Sequence, residues 1–197
     1  MPIEIRRAVA ERFDDLATVL GPKDPASPAC WCLSYRVSSG DLRMKDAPDR
    51  ASVMRELCAS PVPPGVLAYL DDEVVGWCSV SPRSSYHRLV HSRVIPKVDD
   101  QPVWSVVCFV VRPGFRRQGV ASTLLDGAVA FARDEGATVI EGYPADNDGK
   151  RLSSAFAYTG TVGLFERAGF VVAAHTTSKT GGVPRVVMRR SVGSQAP

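Results

Sequence analysis

Histidine is scarce in this chain, and its cysteines do not fall into ligand spacing. Three histidines and five cysteines stand among 197 residues. There is no C-x-x-C pair and no His at ligand distance from a Cys, so no metal site is expected. An odd cysteine count (Cys30, Cys32, Cys58, Cys78, Cys108) speaks against a disulfide framework and for a reducing compartment, the cytoplasm. No apolar run approaches the ~18–20 residues that cross a bilayer. The opening MPIEIRRAVAERFDD has acidic residues where a signal peptide would place its apolar segment. Excess charge is small, at +3 from 24 Lys+Arg and 21 Asp+Glu. With no long basic run, neither nucleic acid nor a membrane surface is an expected partner. Glycine is missing from Ile3 to Arg12, which excludes a dinucleotide-binding turn after the first strand. Gly149-Lys150 lacks the earlier glycine of a Walker A loop and is followed by Arg151.

What the chain does have is concentrated between Val103 and Gly136. VWSVVCFVV is β-branched and aromatic almost without interruption, which suits a strand buried on both faces. Arg112-Pro113-Gly114 ends it, since proline cannot donate to a ladder and glycine tolerates a turn. From Val120 the period changes. Val120, Leu124, Ala128 and Phe131 share a helical face with Ala121, Leu125, Val129 and Ala132, and Gly136 closes the helix. Between strand and helix lie Arg116, Arg117, Gln118, Gly119, Val120 and Ala121. A helix opening there leaves N–H groups unpaired and aimed at one point, where the helix dipole favours an anion. Gly119 removes the Cβ that would hold a phosphate off the backbone, and two arginines add charge. A pyrophosphate site fits this pattern. So does a plain turn at Gly119 flanked by solvated arginines.

Arg116-x-x-Gly119-x-Ala121 after a hydrophobic strand resembles the acyl-CoA signature of the GNAT superfamily of N-acetyltransferases. Val66 to Ser81 (VLAYLDDEVVGWCSVS) resembles that family's central hairpin, and Thr161 to Phe170 (TVGLFERAGF) its late helix with the glycine-aromatic pair after it. The resemblance covers roughly residues 65 to 190. It implies an α/β (α+β) fold with a mixed central sheet, helices on both faces and a splay at the acyl-CoA site. It also implies acetyl-CoA as co-substrate, a small-molecule or peptide amine as acceptor, and a homodimer as one possible assembly.

In chain order, Ile3 to Ala8 reads as a strand, Glu11 to Leu20 and Arg50 to Ala59 as helices, and Val66–Leu70 with Val74–Ser81 as a hairpin. Thr138 to Tyr143 reads as a strand and Leu152 to Ala168 as largely helical, broken near Gly160. Phe170 to Ala174 and Pro184 to Arg189 complete the sheet. One domain over 1–190 and a frayed tail over 191–197 are expected. Cys30-Trp31-Cys32 reads as an aromatic turn on the core. By the resemblance it is also a wall of the acceptor pocket. The insert from Pro82 to Gln101 is either a solvated loop, a lid over the acceptor or a contact to the CoA 3′-phosphate.

Mapped onto this chain, the resemblance assigns Phe109, Val110 and Val111 to the pantetheine arm. It assigns the amides of about Gln118 to Ser122 to the pyrophosphate, and an N–H near the splay, that of Val110, to the thioester carbonyl. The position where some members carry a catalytic Glu reads Ser105, and the position of a tyrosine acid reads Phe165. Candidates for the missing roles are Glu141, Tyr143, Tyr158, His87 and His91. Each also has a plain reading as strand, packing or loop surface. Without a base or acid, the chain could instead be a non-catalytic acyl-CoA sensor.

Overall fold

The computed structural model describes residues 2–24, 27, 29–38, 40–41, 47–150, 152–153 and 156–193. Seven strands form one sheet in the order β1-β2-β3-β4-β5-β7-β6. They are β1 (Glu4–Arg7), β2 (Gly65–Leu70), β3 (Glu73–Pro82), β4 (Trp104–Val111), β5 (Val139–Gly142), β6 (Val171–Thr180) and β7 (Val183–Ser191). Only β4 and β5 pair in parallel; every other neighbouring pair is antiparallel. The helices are α1 (Phe13–Leu20), α2 (Ala47–Cys58), α3 (His87–Val90), α4 (Val120–Asp134) and α5 (Val162–Arg167).

The alternation of strand side chains divides the core between two faces. On one face, Val66, Val75, Val106 and Ile140 pack against the apolar stripe of α4, including Leu124, Leu125 and Ala128. On the other, Leu67, Tyr69 and Trp77 meet Phe13, Leu16 and Met54 of α1 and α2. Trp31 joins them by stacking on Phe13 at 6.0 Å. Trp31 and Cys32 are therefore a buried turn, both at positive φ, while Cys30 is exposed. Beside it on that face, Tyr86, Leu89 and Ile95 cover Val107, Tyr143 and Val187. The insert after Pro82 is thus folded onto the sheet and includes α3.

The late helix is shorter than the sequence pattern suggests. Among the described residues, Ala157–Thr159 form a single 3-10 turn and α5 begins only at Val162. Gly160 at φ 78 and Thr161 in extended geometry separate them, and Thr161 bridges to Ala145. The break lets Phe165, fully buried, swing beneath β5. A Cβ on Gly142 would stand 2.0 Å from the Phe165 ring. Gly142→Ala is therefore an overpacking change, expected to cost about 1–3 kcal/mol by denaturant unfolding.

Candidate active site

Two irregularities in β4 coincide. The β3–β4 register shifts between Ser79 and Val80, leaving Val107 as an extra residue, and β4–β5 pairing stops at Val106↔Gly142. Beyond Val106 the two strands part, so β4 has a free edge over Cys108 to Val111. The direction of each backbone group on that edge follows from the ladder. Arg112 N–H bonds Val75 C=O, which makes Arg112 and Val75 a hydrogen-bonded pair. In an antiparallel ladder such pairs alternate. Val110 opposite Trp77 is hydrogen-bonded towards β3, while Phe109 and Val111 present their groups to the gap. The register corrects the expectation for Val110 N–H, which points to β3; Phe109 N–H faces the gap instead. Consistently, Arg116 Nε reaches Val111 C=O at 3.1 Å.

The gap runs into the opening of α4. Arg117 at φ 63 and Gly119 at φ 84 are both left-handed, a backbone form that turns successive N–H groups inward and makes an anion-binding concavity. A Cβ built on Gly119 has nothing within 4 Å; it would project into open space. Gap and turn together form a cavity of about 540 Å³. Phe109, Val110, Val111, Arg116, Arg117, Gly119, Val120, Ala121 and Ser122, expected from the sequence to hold the coenzyme, line it. Gln118 does not, and its side chain instead bonds Gly114 C=O. Tyr158 and Arg167 complete the wall from the other side. Arg167 was not legible as a site residue: it lies a helical step beyond Leu164, whose apolar side chain shares the wall, but the register of α5 decides that both point inward.

The catalytic candidates are not gathered there. Ser105, Tyr143 and Glu141 form a separate buried chain, with Ser105 Oγ 2.8 Å from Tyr143 Oη and Tyr143 donating to Glu141 Oε1 at 2.8 Å. Glu141, 2% exposed, lies between two guanidiniums. Arg189 Nε donates to Oε2 at 2.8 Å, and Arg83 Nε stands 3.4 Å from Oε1 without hydrogen-bond alignment. Arg189 also binds Asp99, whose carboxyl it holds below the usual range. Burial, then the Glu141 charge, pushes the Tyr143 hydroxyl well up. His87 and His91 stack on each other in exposed positions of the insert. No insert residue lines the 540 Å³ cavity. Of the candidates only Tyr158 does, and burial pushes its hydroxyl up to about 12.

The family model described as the acetyltransferase (GNAT) family matches residues 34–170. The chain belongs to the GNAT acetyltransferase family. No curated protein matches the sequence. Among solved structures, this GNAT acetyltransferase is similar to a GNAT-family acetyltransferase of Streptococcus pneumoniae (TM-score 0.58, 14% identity, 98% of this chain and 100% of that one). It is also similar to a histone acetyltransferase and related acetyltransferase of Corynebacterium glutamicum (TM-score 0.58, 20% identity, 97% of each chain). A third is a ribosomal-protein-alanine N-acetyltransferase of Brucella melitensis (TM-score 0.55, 16% identity, 95% and 99%). These likenesses establish the fold, and the family establishes acyl transfer as the general activity. Among the described residues of this GNAT acetyltransferase, no group of three or more His, Cys, Asp or Glu could hold a metal ion, and no helix is long and apolar enough to cross a membrane.

Proposed function

We propose that this chain transfers acetyl from acetyl-CoA to a primary amine by direct attack on the thioester. The observation that carries this reading is the continuity of the β4 free edge with the left-handed turn at Arg117–Gly119 in one cavity. The residues fit the coenzyme: Phe109 and Val111 offer strand-edge groups to an extended pantetheine arm. The N–H groups opening α4 offer a seat for the pyrophosphate, with Arg116, Arg117 and Arg167 adding charge. When bound, acetyl-CoA supplies an activated acetyl thioester. Phe109 N–H is placed to polarise the thioester carbonyl and to hold the negative charge that develops on its oxygen. Tyr158 O–H is placed to return a proton to the departing thiolate. Ser105 and Glu141 support this centre from below as part of the buried network; neither lines the cavity.

No carboxylate among the described residues lines the cavity, and in this reading the attacking amine loses its proton to water. This fixes a pH dependence. For a lysine-like acceptor of pKa ≈ 10.4, kcat/KM rises about tenfold per pH unit from 7 towards 9.5, as the free amine accumulates. Tyr158 does not oppose the rise, because its pKa near 12 keeps the donor protonated throughout. A bell with an enzyme base near pH 7 would contradict this. Tyr158→Phe is expected to lower kcat about tenfold to hundredfold while CoA affinity holds. That is less than general acids often contribute, because a thiol of pKa near 8.5 is already a tolerable leaving group.

The reading is tested by thiol release from acetyl-CoA across an amine panel. The burial of Ser105 and the ion pairs around Glu141 favour a second reading, a CoA-binding sensor. CoA binding without turnover for any amine would select it.

A further inference from the structure

Among the described residues, Arg185 is a buried cation with no carboxylate beside it. Residues 185, 187 and 189 of β7 point to the face opposite α4, and Arg189 there has two carboxylates while Arg83 shares one of them. Arg185, 4% exposed, has none among the described residues. Its Nε donates to Tyr143 C=O at 2.9 Å, and its Nη1 to Tyr35 Oη at 2.9 Å and to Ser178 Oγ at 3.4 Å. Its Nη2 is buried with no partner. Carbonyl and hydroxyl partners satisfy donor geometry, but they do not neutralise the charge. Buried charges in proteins are normally paired.

The guanidinium also sits close to the proposed chemistry. Tyr35, which it bonds, packs in one cluster with Tyr158 and Cys108. Tyr158 lines the coenzyme cavity beside Phe109 and Val110. Arg185 therefore stands two tyrosines, Tyr35 and Tyr158, behind the acyl end of that cavity, on the sheet face away from α4, and does not itself line it. Arg88, 5.6 Å above the Tyr35 ring, adds a second positive group to the same wall. Nη2 has two free N–H groups. Tyr35 Oη accepts from Arg185, and its hydroxyl also meets that of Tyr158. One positive charge with donors in a planar fork suits a two-oxygen monoanion better than a phosphate.

Resting on the acetyl-transfer reading above, we propose that Arg185 anchors a carboxylate on the acceptor, so that the acceptor class is an amino acid or another amine bearing a carboxylate. The anchor holds the far end of the acceptor while its amine faces Phe109. Charge-assisted hydrogen bonds of this kind discriminate by about 10- to 100-fold.

The test uses the full chain with acetyl-CoA and matched pairs of amines, each amino acid against its carboxamide, compared per unit of free amine. The carboxylate partner is expected to show a kcat/KM about 10- to 100-fold higher, and Arg185→Gln to bring the ratio close to one. A ratio near one in the unmodified protein overturns the inference and leaves acetyl transfer standing. So does a preference that survives in a folded Arg185→Gln. Should that variant fail to fold, inhibition of the unmodified protein by N-acetyl amino acids against their amides decides. Equal inhibition overturns the proposal, and stronger inhibition by the carboxylates supports it. Turnover of no amine at all removes both this inference and the reading it rests on.

Discussion

Gly119→Val is expected to weaken CoA binding by roughly a hundredfold. The estimate is the loss of two charge-assisted hydrogen bonds at about 1.5 kcal/mol each, or about 3 kcal/mol. Gly119 lines the cavity at φ 84, and a Cβ there meets no protein atom within 4 Å. The added carbons would occupy the ligand's space. Valine at positive φ also strains the backbone, by about 1–2 kcal/mol, so stability falls as well. Gly136 separates the two effects. It sits at the other end of α4 with φ 83 and equally open surroundings, and it does not line the coenzyme cavity. Gly136→Val should show the same loss in unfolding free energy and unchanged CoA affinity by calorimetric titration.

Glu141→Ala is expected to destabilise the fold by about 3–5 kcal/mol, because it leaves two largely buried guanidiniums without their shared anion. For a chain of this size that is a melting temperature lower by about 6–20 °C. Arg83 and Arg189 have side chains only 12% and 13% exposed, so water cannot easily replace the carboxylate. Arg189 keeps Asp99, so the loss falls towards the lower figure. Were Glu141 chiefly a proton acceptor, kcat would collapse while the melting temperature stayed within a degree or two. Differential scanning fluorimetry and steady-state rates on the same preparation separate the two.

The proposed coenzyme cradle is legible in the sequence because its determinants are local. A β-branched run, Arg112-Pro113-Gly114 and a switch to helical period at Val120 lie within 20 consecutive residues, and each acts on its own neighbours. Which amide faces the gap is not legible. Phe109 rather than Val110 faces the gap only because Arg112 pairs with Val75 in the ladder, and no pattern within β4 carries that register. Glu141 is ambiguous for a similar reason. Its charge partners come from positions 83 and 189, far away in sequence. The over-long late helix has a long-range cause too: Phe165 must seat under Gly142, which the break at Gly160 permits. Arg185 lies in a strand whose alternation is plain, yet its want of a carboxylate among the described residues appears only once the surrounding elements are placed.

Everything in the catalytic account depends on the turn at Arg117–Gly119 receiving the coenzyme's diphosphate. Amide hydrogen exchange with and without CoA measures this most directly, residue by residue. The account predicts slower exchange over Phe109–Val111 and Arg117–Ser122 in the presence of CoA, with little change at Gly136–Thr138. Unaltered exchange at the opening of α4, or protection confined to the opposite end of that helix, would contradict it.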